Sequence, residues 1–440
     1  MNFFKPWETW AVIFPMFGNL LLAAPALAQT TRYVVPENPG AATPYTTWAT
    51  AATNIQDAVD ACAPGDTVLV TNGFYESGGA AAAGSTLTNR VCVTKPIRVA
   101  SVNGPDVTII SGVRTNGASA VRGVYLTNGA SLHGFTITNG ATRTSGDSAG
   151  DLRGGGVWCE AGADVVLSNC TLSGNTAADC AGGLFQGVAA NSLLAGNSAV
   201  YGGGCYSSRL AGCTISANSV SWMGGGLFYG SAVGCVVSGN TSSADGAGSF
   251  YATLSNCVVT ANQGAGFGGG DYASSSFNCL ISGNASYYGG GSSDGILQNC
   301  TVIQNSASYG GGTAWGTILN SLVLYNSAPN GSNCYGGSIQ FSCTAPLAAG
   351  EGNFDADPRI VCRSNPRLLS GSPCINAGTN ANWMVGASDL AGHPRIAGGR
   401  ADIGAYEFDT ATQTGAIRVT IWSEWTTIAA GFALPFAGDL

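Results

Sequence analysis

The sequence predicts an all-β fold: a parallel solenoid of short stacked coils, opened by one short capping helix. Three observations predict it. A Cys or Ser recurs at positions 170, 192, 213, 235, 257, 279, 300 and 321, so successive intervals are 21 or 22 residues. An Asn five places later keeps the same beat, at Asn175, Asn197, Asn218, Asn240, Asn262, Asn284, Asn305 and Asn326. A Gly-rich triplet keeps it too, at 202–204, 224–226, 246–248, 268–270, 289–291 and 310–312. So strict a period marks stacked repeats, none of which can close a core alone.

Each unit reads as strand, turn, strand, turn. Cys213 and Ile215, Cys235 and Val237, Cys257 and Val259, Cys279 and Ile281, and Cys300 and Val302 alternate with variable residues, the period-2 pattern of a strand. Gly and Asn follow each strand, as turns require. In register, eight such coils make a rod of roughly 40 Å at ~4.8 Å per coil. The Asn column is expected to hydrogen-bond up and down the rod at a bend, and the Cys column to be small, buried and unreactive.

Taken in order, Tyr33-Val34-Val35 reads as a strand. Asn54 to Cys62 reads as a helix, apolar at Ile55, Ala58, Val59 and Cys62 and capped by Asn54 with Asp57 three residues on. Over about 54–65 this segment would plug the open end of the solenoid. Asp66–Val70 is a strand. The stretch 95–110 continues the coils, and Leu132–Asn139 is a degenerate rung. Residues 141–153 are polar and leave the rod as a loop. After Asn326 the beat dissolves, 327–360 is irregular, and about 372–408 forms a closing cap in which Arg395, Asp402 and Glu407 pair. The tail over 409–440, with one strand expected at 417–425, follows as an extension or the start of a further module.

These motifs resemble the right-handed parallel β-helix superfamily, over nearly the whole chain after residue 28. The Gly-Gly-Gly and Ser-Gly-Asn pairs are similar to repeats of chlamydial-type polymorphic outer-membrane proteins. The opening Gly65-Asp66-Thr67-Val68-Leu69-Val70 and Gly73-Phe74-Tyr75-Glu76 resemble the start of many secreted β-helix proteins. The closing Ser372-Pro373-Cys374, Asp389–Arg395 and Asp402–Glu407 segments are similar to the end of choice-of-anchor Q proteins. Members of the superfamily include pectate lyases, polygalacturonases, pectin esterases and epimerases, so the resemblance implies that polysaccharide chemistry has to be weighed.

Composition narrows the classes. Of 440 residues, 45% are hydrophobic, only 9% are charged and 66 are Gly. A net charge of −8 disfavours nucleic acid as a partner. Residues 1–28, with an apolar core from Ala11 to Ala24 and the small-residue site Ala26-Leu27-Ala28, read as an export signal. The expected location is therefore secreted or at an outer cell surface, with no membrane span in the mature chain. Export places the 15 cysteines in an oxidising space. Ladder cysteines are expected to stay free, while Cys334–Cys343 and Cys362–Cys374 are plausible local bridges.

Chemistry-bearing residues are sparse. No Lys, Arg or His occurs between Leu210 and Pro358. The central acids Asp245, Asp271 and Asp294 take different places about the triplet, which suits isolated solvent-facing acids. His133 and His393 are expected to be structural and far apart. Asp355, Asp357, Asp389, Asp402 and Glu407 could supply oxygens to calcium, although no calcium-loop spacing is present and no cofactor is expected. Two aromatic columns follow the beat. Tyr201, Phe267, Tyr288 and Tyr309, with Met223 in line, precede the triplet. This column suits turn packing or a solvent-facing strip able to stack on sugar rings. Trp158, Phe185, Tyr206, Phe228, Phe250 and Tyr272 follow the triplet and are expected in the core. The resulting expectation is a non-enzymatic, adhesin-like or carbohydrate-binding rod whose partner is a polysaccharide or surface protein. The alternative is a lyase or glycoside hydrolase working at the excursion, where Asp147, Asp151 and Arg153 would meet Asp179.

Overall fold

Parallel pairing at one-coil offsets builds the rod. In this computed structural model, which describes residues 29–409 apart from 149 and 161–164, Ile215 lies beside Val237, Val237 beside Val259, and Val259 beside Ile281. The export signal expected over 1–28 and the strand expected over 417–425 lie outside the described residues. Strands stacked in this way form a 12-stranded sheet from Gly73–Tyr75 to Cys343–Thr344, and a 6-stranded sheet from Ser198–Tyr201 to Ser306–Tyr309. A 23-stranded sheet takes two short strands, or one bent strand, from most coils. Parallel strands joined by crossovers wind right-handed, and the chain is a right-handed parallel β-helix. At ~4.8 Å per coil its 12 coils span roughly 50 Å.

The period reflects what each corner of a coil requires. The backbone enters the left-handed region just before the Cys/Ser position, with φ of 51° at Asn256, 52° at Asn278 and 60° at Gly234. Asn and Gly adopt that conformation at least cost. At the triplet the limit is space: a Cβ on Gly225 would fall 2.5 Å from the Ala247 carbonyl oxygen. The Asn ladder lies inside the coils. Asn240 Oδ1 accepts from Asn218 N (3.0 Å) and Asn218 Nδ2 (2.9 Å), while Asn240 Nδ2 donates to Ile215 O and Asn262 Oδ1, both at 2.9 Å. Cys and Ser alternate in their column because either can accept there. Cys213 N donates to Cys235 Sγ at 3.3 Å, and Cys300 N donates to Ser321 Oγ at 3.1 Å. Burial pushes the Cys170 thiol up to about 11, so it stays protonated.

Helix α1, Ile55–Ala61, seals the first coil. Asn54 Oδ1 accepts from Asp57 N at 2.9 Å, and Lys95 Nζ donates to the carbonyls of Val59, Asp60 and Cys62 that end the helix. Gln56 completes the seal by imitating a strand: its Oε1 accepts from Cys92 N (2.7 Å) and its Nε2 donates to Cys92 O (3.2 Å).

The closing segment departs from expectation in position. Arg395 pairs with Glu407 at 2.9 Å, both buried. Their segment does not cover the last coil end-on, however; it folds back along the outside of earlier coils. Asn278 Nδ2 donates to Ser388 O, Asn299 Nδ2 to Asp402 O and Asn320 Nδ2 to Thr379 O. Leu368, Cys374 and Ile403 pack on Leu322, Leu324 and Cys343. The turn asparagines have free amide groups on their outer side, and the strap satisfies them. The local bridges are also corrected, since all 15 cysteines are free among the described residues. Cys334 lies beside Thr313 in the long sheet and Cys343 beside Leu322 in the 12-stranded one. Cys362 is exposed while Cys374 is buried.

Candidate functional site: an aromatic face along the rod

The turn at the triplet brings the two aromatic columns to one outer face. The column after the triplet lies outside the main core inside the coils. Leu184 and Leu227 point inward into the main cluster, and the next residues, Phe185 and Phe228, point outward. Their rings stack along the axis from coil to coil. Centroids lie 4.9 Å apart for Tyr125–Trp158, 5.2 Å for Tyr206–Phe228 and 4.8 Å for Phe228–Phe250, with interplanar angles of 8°, 9° and 7°. The expectation of stacking holds; that of core holds in part, since Phe185, Phe228 and Phe250 are buried while Trp158, Tyr206 and Tyr272 are half-buried, but strand alternation puts the column outside the lumen of the coils.

The column before the triplet is half-buried. Phe267 stacks on Tyr288 at 5.0 Å and Tyr288 on Tyr309 at 4.9 Å, so both faces of Tyr288 are taken. Tyr201 packs edge-on against Phe228 at 5.4 Å. Phe267, Tyr288 and Tyr309 thus stack on one another, while Tyr201 packs against the other column.

A third set, unmarked by the repeat, covers the stacks. Tyr229 meets Tyr206 at 88° and Phe228 at 85°, while Tyr251 meets Phe250 at 68° and Tyr272 at 83°. Because Phe228 is sandwiched between Tyr206 and Phe250, only its edge is free. Tyr229 therefore meets that edge from outside the stack, its plane across those of the stacked rings. Tyr251 is placed likewise against Phe250, and Tyr287 against Tyr288 at 81°. They are 42%, 51% and 48% exposed. Tyr229 and Tyr251 hold left-handed φ of 59° and 50°, at a corner where other coils place Ser207, Ala273, Asp294 and Trp315. A bulky residue pays about 1–2 kcal/mol in that conformation.

The acids fall in three environments. Asp271 is wholly buried inside the coil, which corrects the expectation of a solvent-facing acid. Asp245 accepts from Phe267 N at 2.9 Å, and Asp294 occupies the same left-handed corner as Tyr251. Burial first, and then the charges of Asp294, Tyr251 and Asp245, raise the Tyr272 pKa above its ordinary value.

In the excursion, Arg153 Nε meets Asp179 Oδ2 at 2.9 Å, but Asp151 turns away to accept from Ser85 Oγ (2.6 Å) and Thr86 Oγ1 (3.0 Å). Asp147 accepts from Gly150 N at 2.8 Å. Arg122, fully buried, donates to the carbonyls of Gly150, Gly154 and Arg153 and to Asn89 Oδ1, fastening the loop to the rod. In the cap, both oxygens of Asp389 and of Asp402 accept backbone N–H groups, whereas Asp355 and Asp357 are exposed elsewhere. His133 contacts Ser168 in an early coil, and His393 sits beside Asp389 and Asp409 in the cap.

No family model matches the chain, and no curated protein matches it. The resemblances to outer-membrane repeats and choice-of-anchor Q proteins therefore rest on their motifs alone. Solved structures share the fold. A pectate lyase aligns over 87% of this chain and 98% of its own, at 16% identity and a TM-score of 0.45. The A-module of a mannuronan C-5 epimerase from Azotobacter vinelandii aligns over 69% of this chain and 94% of its own, at 14% identity and a TM-score of 0.35. A rhamnogalacturonan lyase aligns over 87% and 97%, at 12% identity and a TM-score of 0.34. These are likenesses of fold, and they carry no residue role to this chain.

Proposed function

We propose that the protein is an exported, non-enzymatic glycan-binding rod. One observation carries the reading: Tyr229 and Tyr251 stand 6.0 Å apart on neighbouring coils, 42% and 51% exposed, each over a strained backbone. Strain retained at an exposed bulky residue fits a contact surface better than it fits packing. An exposed ring face is also what a pyranose stacks on. A chain running along the rod meets successive rings, so weak single contacts add up over its length.

The test is a panel of soluble glycans, read for retained binding and for new reducing or unsaturated ends. The double variant Tyr229→Asn, Tyr251→Asn keeps the corner, because Asn tolerates left-handed φ. Binding should weaken by at least about tenfold, the value of roughly 1.4 kcal/mol. Undiminished binding in a folded double variant would sink the reading. Turnover lost in Asp179→Ala would replace it with a polysaccharide-active enzyme working at the Arg153–Asp179 pair, with Asp147 and Asp151 nearby.

A further inference from the structure

Resting on that reading, we infer that the ligand is a neutral glycan, that the Asp294 carboxylate accepts its hydroxyls, and that polyuronates are excluded. The left-handed corner runs Tyr229, Tyr251, Ala273, Asp294, Trp315 in successive coils. Two exposed rings are followed by a methyl-sized gap, a carboxylate and an indole. Between the coils of Tyr251 and Asp294 the gap measures about 10 Å, two strand spacings. A carboxylate is acceptor-only, so it pairs with sugar hydroxyls and repels a sugar that carries its own carboxylate.

Charge over the whole face agrees. No Lys, Arg or His occurs between Leu210 and Pro358, and that interval supplies every residue of the face from Phe228 to Tyr335. Toward the start of the ring stack the nearest cation is Arg209, exposed on the preceding coil beside Ser231; Arg153, 5.7 Å above Phe185, is paired with Asp179. Asp245, whose Oδ1 accepts from Phe267 N, adds a second carboxylate to these coils. A polyuronate laid along the coils from Tyr251 to Trp315 would meet like charges and no counter-charge from those coils.

The experiment compares hydroxyethyl cellulose and galactomannan with polygalacturonate and alginate, at low salt with chelator, on the full chain. Neutral chains should bind, and polyuronates should bind at least roughly tenfold more weakly, a difference that shrinks as salt screens it. Asp294→Asn should weaken neutral binding about tenfold, the loss of one charge-assisted acceptor. Asp294→Lys should admit polyuronate. Polyuronate binding equal to neutral binding, and lost in Tyr229→Asn, would overturn the charge inference and leave the aromatic reading standing. Neutral binding untouched in Asp294→Asn would remove Asp294 from the site. Binding of no glycan would overturn both.

Discussion

Asp271 gives the rod a pH dependence that its composition does not suggest. The carboxyl is fully buried and accepts from Ser292 Oγ at 2.5 Å and Ser276 Oγ at 3.1 Å, with no cation in its part of the chain. Burial pushes its pKa from 3.8 to about 7, against the pull of the two serines. The folded chain therefore holds this proton more tightly than the unfolded chain does. Stability from this group is full below about pH 4, falls as pH rises toward about 7, and is flat above that. At about 1.4 kcal/mol per pH unit, the interval from 3.8 to about 7 is worth on the order of 4 kcal/mol. Asp271→Asn keeps the shape and removes the titration. Urea midpoints should show the variant gaining on the natural chain by about 2–4 kcal/mol between about pH 4 and pH 8, with an unchanged denaturant slope. A stability difference that stays constant across that range would refute the buried-acid argument.

Two further predictions concern the frame. Asn240→Ala removes four hydrogen bonds and strands the buried Asn218 N–H. It should cost about 3 kcal/mol in urea unfolding, against under about 0.5 for the exposed Thr241→Ala, and a loss below about 1 would mean the ladder is not holding the bend. Arg122→Met should free the excursion and raise protease cleavage within 141–153 several-fold. Arg122→Lys should not restore protection, because an ammonium cannot reach the carbonyls that the guanidinium spans.

The rod itself was legible because every coil repeats the same constraints. A bend needs an inward amide, a corner needs Asn or Gly, and a close approach needs Gly, so each leaves a letter every 21 or 22 residues. The capping helix was legible through Asn54 and Asp57. The exposed rings were not. Their corner is filled by Ser207, Tyr229, Tyr251, Ala273, Asp294 and Trp315, and no shared letter reports its left-handed backbone. Asp271 looks like Asp245 and Asp294 in the sequence, and only strand register turns it inward. Cys334 and Cys343 stand close in the chain and fall on different sheets.

The sequence by itself thus determined the coil: its length, its bends, its interior ladder and the stacking of like on like. Those follow from local turn geometry and from each coil meeting a near copy of itself. Tertiary structure decided which surfaces are spent and which are free. Tyr288 loses both ring faces to Phe267 and Tyr309, while Tyr251 stays half exposed, because the covering of a ring depends on the side chains of the coils above and below it. It also decided that the closing segment lies along the rod, where the outward amides of Asn278, Asn299 and Asn320 are satisfied by carbonyls 110, 103 and 59 residues further along the chain.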